Sequence, residues 1–252
     1  MEKYFKINSD KYNVSCKIYC DDIKSIHTTI LFGHGFGGHK DNKAAERFAK
    51  RVLEKNKNIA VVTFNWPCHG DDVRQKLLLD DCMTYLDIVI SYIRNSLNAE
   101  KIYAYATSFG GYLFLKYIAD IGSPFDKMAF RCPAVDMYSV ITKAIMKDEE
   151  LDRILQGKTV LVGFDRKIKV TRSFLEDLTA SDVQGNDYMD HADDILILQG
   201  TADEIVQFSS VKSFAENNVI NFIPVEGADH RFIDLNKLNY VNSEVIKFFG
   251  LK

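Results

Sequence analysis

From Thr28 onward, short runs of β-branched and apolar residues alternate with longer stretches whose apolar positions recur at helical spacing. Thr28-Thr29-Ile30-Leu31-Phe32, apolar on both faces, predicts a strand covered by helices on both sides. Ala44 to Lys55 places Ala45, Phe48, Ala49, Val52 and Leu53 on one helical face. The alternation continues through a strand at Ile59 to Phe64, a helix from about Leu79 to Leu97, a strand at Lys101 to Ala106, a helix at Gly110 to Asp120 and a strand at Lys127 to Arg131. After an interruption it resumes with a strand at Asp194 to Gln199, a helix at Val206 to Glu216, a strand at Ile220 to Val225 and a helix from about Leu235 to Phe249. Such a rhythm predicts the α/β class, with a mostly parallel central sheet flanked by helices. Upstream, Tyr4 to Ile7 and Val14 to Tyr19 flank the turn-forming Asn8-Ser9-Asp10 and predict an antiparallel hairpin.

The interruption runs from Pro133 to about Asp190. It offers a helix at Val140 to Leu155, a hairpin-like pair at Thr159 to Val162 and Lys167 to Thr171, and a short helix at Ser173 to Thr179. It is too small to hold a core of its own. The chain therefore reads as one domain over residues 1–252, with 133–190 as an insertion over one end of the sheet, after its sixth strand.

Charge and cysteine usage narrow the function classes. A formal net charge of -3 gives no reason to expect nucleic acid or an anionic membrane as partner. Lys147-Asp148-Glu149-Glu150 reads as a solvated helix face or loop. Cys16, Cys20, Cys68, Cys82 and Cys132 are odd in number and form no CxxC pair, so they suggest free thiols in a reducing compartment. With no signal-like N-terminus and no apolar stretch near the roughly 18 residues of a membrane span, a cytoplasmic location is expected.

In an open parallel sheet, functional groups gather at the carboxyl ends of the strands. Four polar clusters fall there: Gly33 to Gly38, Ser108, Asp203 and His230. Ser108 follows a predicted strand and opens a predicted helix, with the small residues Ala106, Gly110 and Gly111 around it, as a sharp turn requires. Taken alone, this segment fits an ordinary serine in a strand-helix turn equally well. The order Ser108, Asp203, His230 along the chain carries the argument further.

That order, with the serine on a strand-turn-helix, resembles the α/β-hydrolase fold family. His34-Gly35-Phe36-Gly37-Gly38 resembles the family's oxyanion loop, and Asn65-Trp66-Pro67-Cys68-His69-Gly70 its D-x-x-G-H-G loop, with Asn65 in place of the usual acid. Gly200-Thr201-Ala202-Asp203-Glu204-Ile205-Val206 is similar to the acid loop, and Gly227-Ala228-Asp229-His230 to the histidine loop. The serine turn reads Ala106-Thr107-Ser108-Phe109-Gly110, where the family usually begins with glycine. Within the family the chain most resembles small bacterial carboxylesterases of the cinnamoyl or feruloyl esterase and monoacylglycerol lipase kind, which also carry a compact insertion after the sixth strand.

The resemblance implies hydrolysis of a small to medium ester through an acyl-enzyme, with no cofactor. Ser108 would be the nucleophile, His230 its base, and Asp203 the group that fixes the imidazole tautomer. Backbone N–H groups of Phe36 and Phe109 would hold the oxyanion. Trp66, Met137, Tyr138, Ile141 and Ile145 are expected around an apolar substrate pocket.

Competing readings are specific. His34 and His69 are expected to brace loops. Asp229 adjoins His230 but is expected to face away from it. Neither Asp203-Glu204 nor Asp193-Asp194 has the clustered ligands of a metal site. Gly33 to Gly38 lacks the Lys-Ser/Thr of a phosphate-binding loop. A thioesterase, small-peptide hydrolase or acyltransferase would use the same triad, and a non-catalytic ligand-binding member of the fold is the alternative from another class.

Overall fold

The computed structural model describes residues 1–9, 11–72 and 74–252; Asp10, expected in the first hairpin turn, lies outside them. Strands β1 (Glu2–Ser9) and β2 (Tyr12–Cys20) form the predicted antiparallel hairpin. Then follow β3 (Thr28–Gly33), α1 (Lys43–Lys55), β4 (Ile59–Phe64), α2 (Leu79–Asn95), β5 (Lys101–Thr107), α3 (Phe109–Ile121) and β6 (Lys127–Arg131). The sheet order is β1-β2-β4-β3-β5-β6, completed by β9 (Ile195–Gly200) and β10 (Asn221–Val225) at the far edge. Every pairing from β4 to β10 is parallel. The strands β3 and β4 are buried almost along their whole length, as covering on both faces demands. α7 (Phe208–Asn217) and α8 (Leu235–Phe248) complete the helical layers.

Two apolar clusters fill the two sides of the sheet. Val62, Phe64, Leu86, Ala104, Phe114 and Ile197 belong to one, and Ile30, Phe48, Val61, Tyr105, Val241 and Val245 to the other. Residues 61 and 62, or 104 and 105, fall on opposite sides because successive side chains of a strand alternate.

Between β6 and β9 the chain leaves the sheet. It forms a short helix α4 (Met137–Ser139) that widens into a π-helical turn over Val140–Ile145, then α5 (Asp148–Leu155), a hairpin of β7 (Val160–Val162) and β8 (Ile168–Val170), and α6 (Arg172–Ala180). The expected single helix Val140 to Leu155 is two pieces. Met146 and Lys147 are extended, and the Glu150 carboxylate accepts the Lys147 backbone N–H at 2.9 Å. The acidic run Asp148-Glu149-Glu150 thus starts a helix, where its charge faces the positive end of the helix dipole. No helix among the described residues is long and apolar enough to cross a membrane.

Candidate active site

Ser108 stands between β5 and α3 with φ 52° and ψ -119°, a left-handed conformation that L-residues rarely adopt. Its backbone is locked there. Its N–H donates to the Arg131 carbonyl at 3.1 Å, and its carbonyl accepts from Tyr112 and Ala134, each at 3.1 Å. Close approach of the neighbouring elements is possible only because Gly110 and Gly111 have no side chain. A Cβ on Gly110 would lie 2.6 Å from the Gly33 carbonyl oxygen, and one on Gly111 would lie 2.8 Å from the Pro133 Cβ. At the crowded Ala106 the room comes from across the ladder. Ala106 pairs with Gly33, where a Cβ would sit 3.2 Å from the Ala106 methyl.

The loops after β9 and β10 bring two further groups to this turn. His230 Nε2 lies 3.0 Å from Ser108 Oγ, and His230 Nδ1 lies 2.8 Å from Asp203 Oδ2. The Asp203 side chain is fully buried, while that of His230 retains 14% exposure. Burial drives the Asp203 carboxyl upward, but the hydrogen bond and charge of His230, together with the Val206 N–H, outweigh it and hold it below the usual carboxylate range. An ionised acid on Nδ1 fixes the neutral imidazole as its Nδ1–H tautomer, which leaves Nε2 free to accept the Ser108 proton. Asp229 instead binds the backbone N–H of Arg231 at 2.8 Å, as its expected orientation away from His230 requires.

The Gly33–Gly38 loop supplies the opposite wall. Gly35 approaches Ser108 so closely that a Cβ there would sit 3.2 Å from the serine Cβ. Phe109 opens α3, where a backbone N–H has no intrahelical acceptor, and the Phe36 N–H donates to no protein acceptor among the described residues. Two backbone donors beside a hydroxyl nucleophile are what a tetrahedral oxyanion needs.

His34 and His69 are fully buried and brace this loop. His34 Nδ1 lies 2.9 Å from the Gly35 carbonyl oxygen and His69 Nδ1 2.8 Å from that of Pro67. Burial lowers both imidazole pKa values, that of His69 to about 4. Trp66 was expected at the pocket wall but is wholly buried, donating its indole N–H to the His34 carbonyl at 2.9 Å; it supports the loop from beneath. Asn65 accepts the Lys40 backbone N–H at 2.7 Å and donates to the Asp71 carboxylate. A second acid at position 65 would repel Asp71, so the amide suits the neighbour it has.

Of the insertion residues expected around substrate, Met137 and Tyr138 line a cavity of about 320 Å³, together with Tyr112, Val135, Leu178 and Thr179. Ile141 is fully buried and Ile145 packs against the main core, so neither lines that cavity. The β7–β8 turn packs against the Gly33–Gly38 loop. A Cβ on Gly37 would meet the Arg166 carbonyl at 3.3 Å, one on Gly163 would lie 3.7 Å from the Phe36 ring, and Arg231 meets Asp165 at 3.4 Å.

Two neighbours of Asp203 carried no signal in the sequence motifs. Gln199 donates to its carboxylate, and Cys132, in the first position after β6, has its sulfur within 4.8 Å of the Asp203 and His230 ligand atoms. A cysteine, a carboxylate and a histidine could in principle hold a soft metal ion. Here burial keeps the Cys132 thiol protonated, and the other two groups bond each other. For Gln199 a signal did exist: it is a lone amide in the otherwise apolar strand Ile195-Leu196-Ile197-Leu198.

A family model described as the alpha/beta hydrolase fold matches residues 28–159. Among solved structures, Est1E from Butyrivibrio proteoclasticus with ferulic acid bound superposes with a TM-score of 0.75 at 15% identity, covering 98% of this chain and 99% of that one. A putative hydrolase from Agrobacterium vitis S4 gives a TM-score of 0.74 at 15% identity, covering 98% of each chain. XC6422 from Xanthomonas campestris, described as a serine hydrolase without a lid, gives 0.65 at 16% identity over 98% of this chain and 93% of that one. No curated protein matches the sequence.

Proposed function

The chain belongs to the alpha/beta hydrolase fold family, and on that premise we propose that it is a serine hydrolase that cleaves a carboxylic ester through an acyl-enzyme. The observation that carries this reading is the unbroken relay from Ser108 Oγ to His230 Nε2 at 3.0 Å and from His230 Nδ1 to Asp203 at 2.8 Å.

Each step follows from these groups. Ser108 Oγ attacks the ester carbonyl carbon as His230 Nε2 takes its proton. Negative charge that develops on the carbonyl oxygen is met by the Phe36 and Phe109 N–H groups. Asp203 stabilises the imidazolium. Collapse of the intermediate expels the alcohol, which takes the proton from His230 and leaves Ser108 acylated. Water, deprotonated by the same imidazole, then releases the acid and restores Ser108. No metal or cofactor enters.

The insertion acts as a lid, with its hairpin turn against Phe36, while its Met137 and Tyr138 line a cavity beside Tyr112 and Leu178. That setting suits a small to medium ester with an apolar acyl or aromatic portion, and the likeness to Est1E, whose structure holds ferulic acid, makes aryl esters worth including. The test is turnover of short p-nitrophenyl esters by the wild type and by Ser108→Ala. A loss of at least about a thousandfold is expected, in the range that removal of a triad member produces. Undiminished turnover by the folded variant would refute the reading.

A further inference from the structure

The carboxylate oxygen of Asp203 that faces His230 has a second, buried donor. Gln199, fully buried in β9, places its Nε2 2.9 Å from Asp203 Oδ2, the same oxygen that His230 Nδ1 meets at 2.8 Å. The other oxygen, Oδ1, accepts from the Ile205 and Val206 backbone N–H groups at 2.9 and 2.8 Å. The orientation of the amide is fixed by its surroundings. Nε2 also approaches the Val206 carbonyl oxygen at 3.2 Å, and two acceptors around one atom require that atom to be nitrogen. Its Oε1 is buried with no hydrogen-bond partner among the described residues. A buried carbonyl without a donor is unfavourable, so an apolar residue would serve the strand better if packing alone decided the position.

We propose that Gln199 is a positioning residue that holds Asp203 Oδ2 on the axis of the His230 imidazole and moderates its charge. This rests on the serine-hydrolase reading of the site. Backbone donors on Oδ1 fix one edge of the carboxylate, and Gln199 supplies the lateral contact that fixes the edge His230 uses. By sharing Oδ2 it also draws off part of the negative charge that would stabilise the imidazolium.

The test compares wild type with Gln199→Leu and Gln199→Glu by histidine NMR titration and by ester kinetics, with the His230 signals assigned by their loss in His230→Gln. In Gln199→Leu the carboxylate loses a donor, so the His230 pKa is expected to rise by about half a unit or more. Turnover should fall about tenfold with KM unchanged, as expected when an interaction acts in the transition state rather than in binding. Gln199→Glu can donate only while protonated, so its activity should decline as pH rises through the range where the wild type gains. An unchanged His230 titration in folded Gln199→Leu overturns the proposal. The titration reads the contact whether or not esters are turned over, so failure of the serine-hydrolase reading, seen as ester turnover that survives Ser108→Ala, is a separate result. Should the leucine variant not fold, the glutamate variant decides: a pH profile parallel to the wild type is equally fatal.

Discussion

The conformation of Ser108 is maintained by what its neighbours lack. The Gly110 position faces two backbone carbonyls, those of Gly33 and His34, at 2.6 and 2.8 Å from a hypothetical Cβ, and neither can yield without moving β3. Gly110→Ala is therefore expected to lower stability by about 2–4 kcal/mol, the scale of overpacking with backbone displacement, and to abolish activity; thermal unfolding and ester turnover report the two effects. Ala106 behaves differently, because Gly33 opposite leaves room for its methyl. Ala106→Gly should keep turnover within about twofold while costing about 0.5–1 kcal/mol through added chain entropy, measurable by denaturant unfolding. These residues were legible in the sequence as small positions around a serine. The compensation between Ala106 and Gly33 was not, since it depends on strand register rather than on either motif.

At the scale of elements, the sheet and its helices were readable because each obeys one period: β-branched runs such as Ile59 to Phe64, and the stripe Ala45, Phe48, Ala49, Val52. The insertion was less readable because its pieces are short and set by caps. Lys147 breaks a run of apolar residues that periodicity alone would continue. The hairpin was visible in outline, yet nothing in its sequence reveals that its turn lies against Phe36. Gly163 there has φ 127°, and any Cβ would collide with the Arg166 carbonyl oxygen. Gly163→Ala should distort this turn and with it the contact to Phe36. We expect KM for a bulky aryl ester to rise several-fold while short acetyl esters change little, and paired kinetics on the two substrates check it. Asp165→Asn serves as the contrast. Its ion pair with Arg231 is exposed at 3.4 Å, so its loss should alter stability by less than about 1 kcal/mol.

For the whole molecule, buried histidines near the Ser108 site make stability depend on pH. His34, within the Gly33–Gly38 loop, and His69, beside it, are neutral and fully buried, with the His69 pKa lowered to about 4 mainly by desolvation. An unfolded imidazole titrates near 6.5. Because the folded value is lower, the unfolded chain binds more protons between pH 6.5 and 4, and stability must fall as pH drops through that window; above about 6.5 the contribution is complete. For His69 alone the loss is on the order of 3 kcal/mol. Asp203, held below its ordinary value, adds a further loss at lower pH, from its unfolded pKa downward. The thermal midpoint should thus begin to fall near pH 6.5, before any carboxylate is substantially protonated. His69→Phe, which removes the titrating group but keeps a planar ring to stack on Phe109, should flatten the curve between pH 6.5 and 4 and leave the steeper fall below pH 4 in place. A slope identical to the wild type across the upper window would show that His69 contributes nothing to the acid sensitivity there.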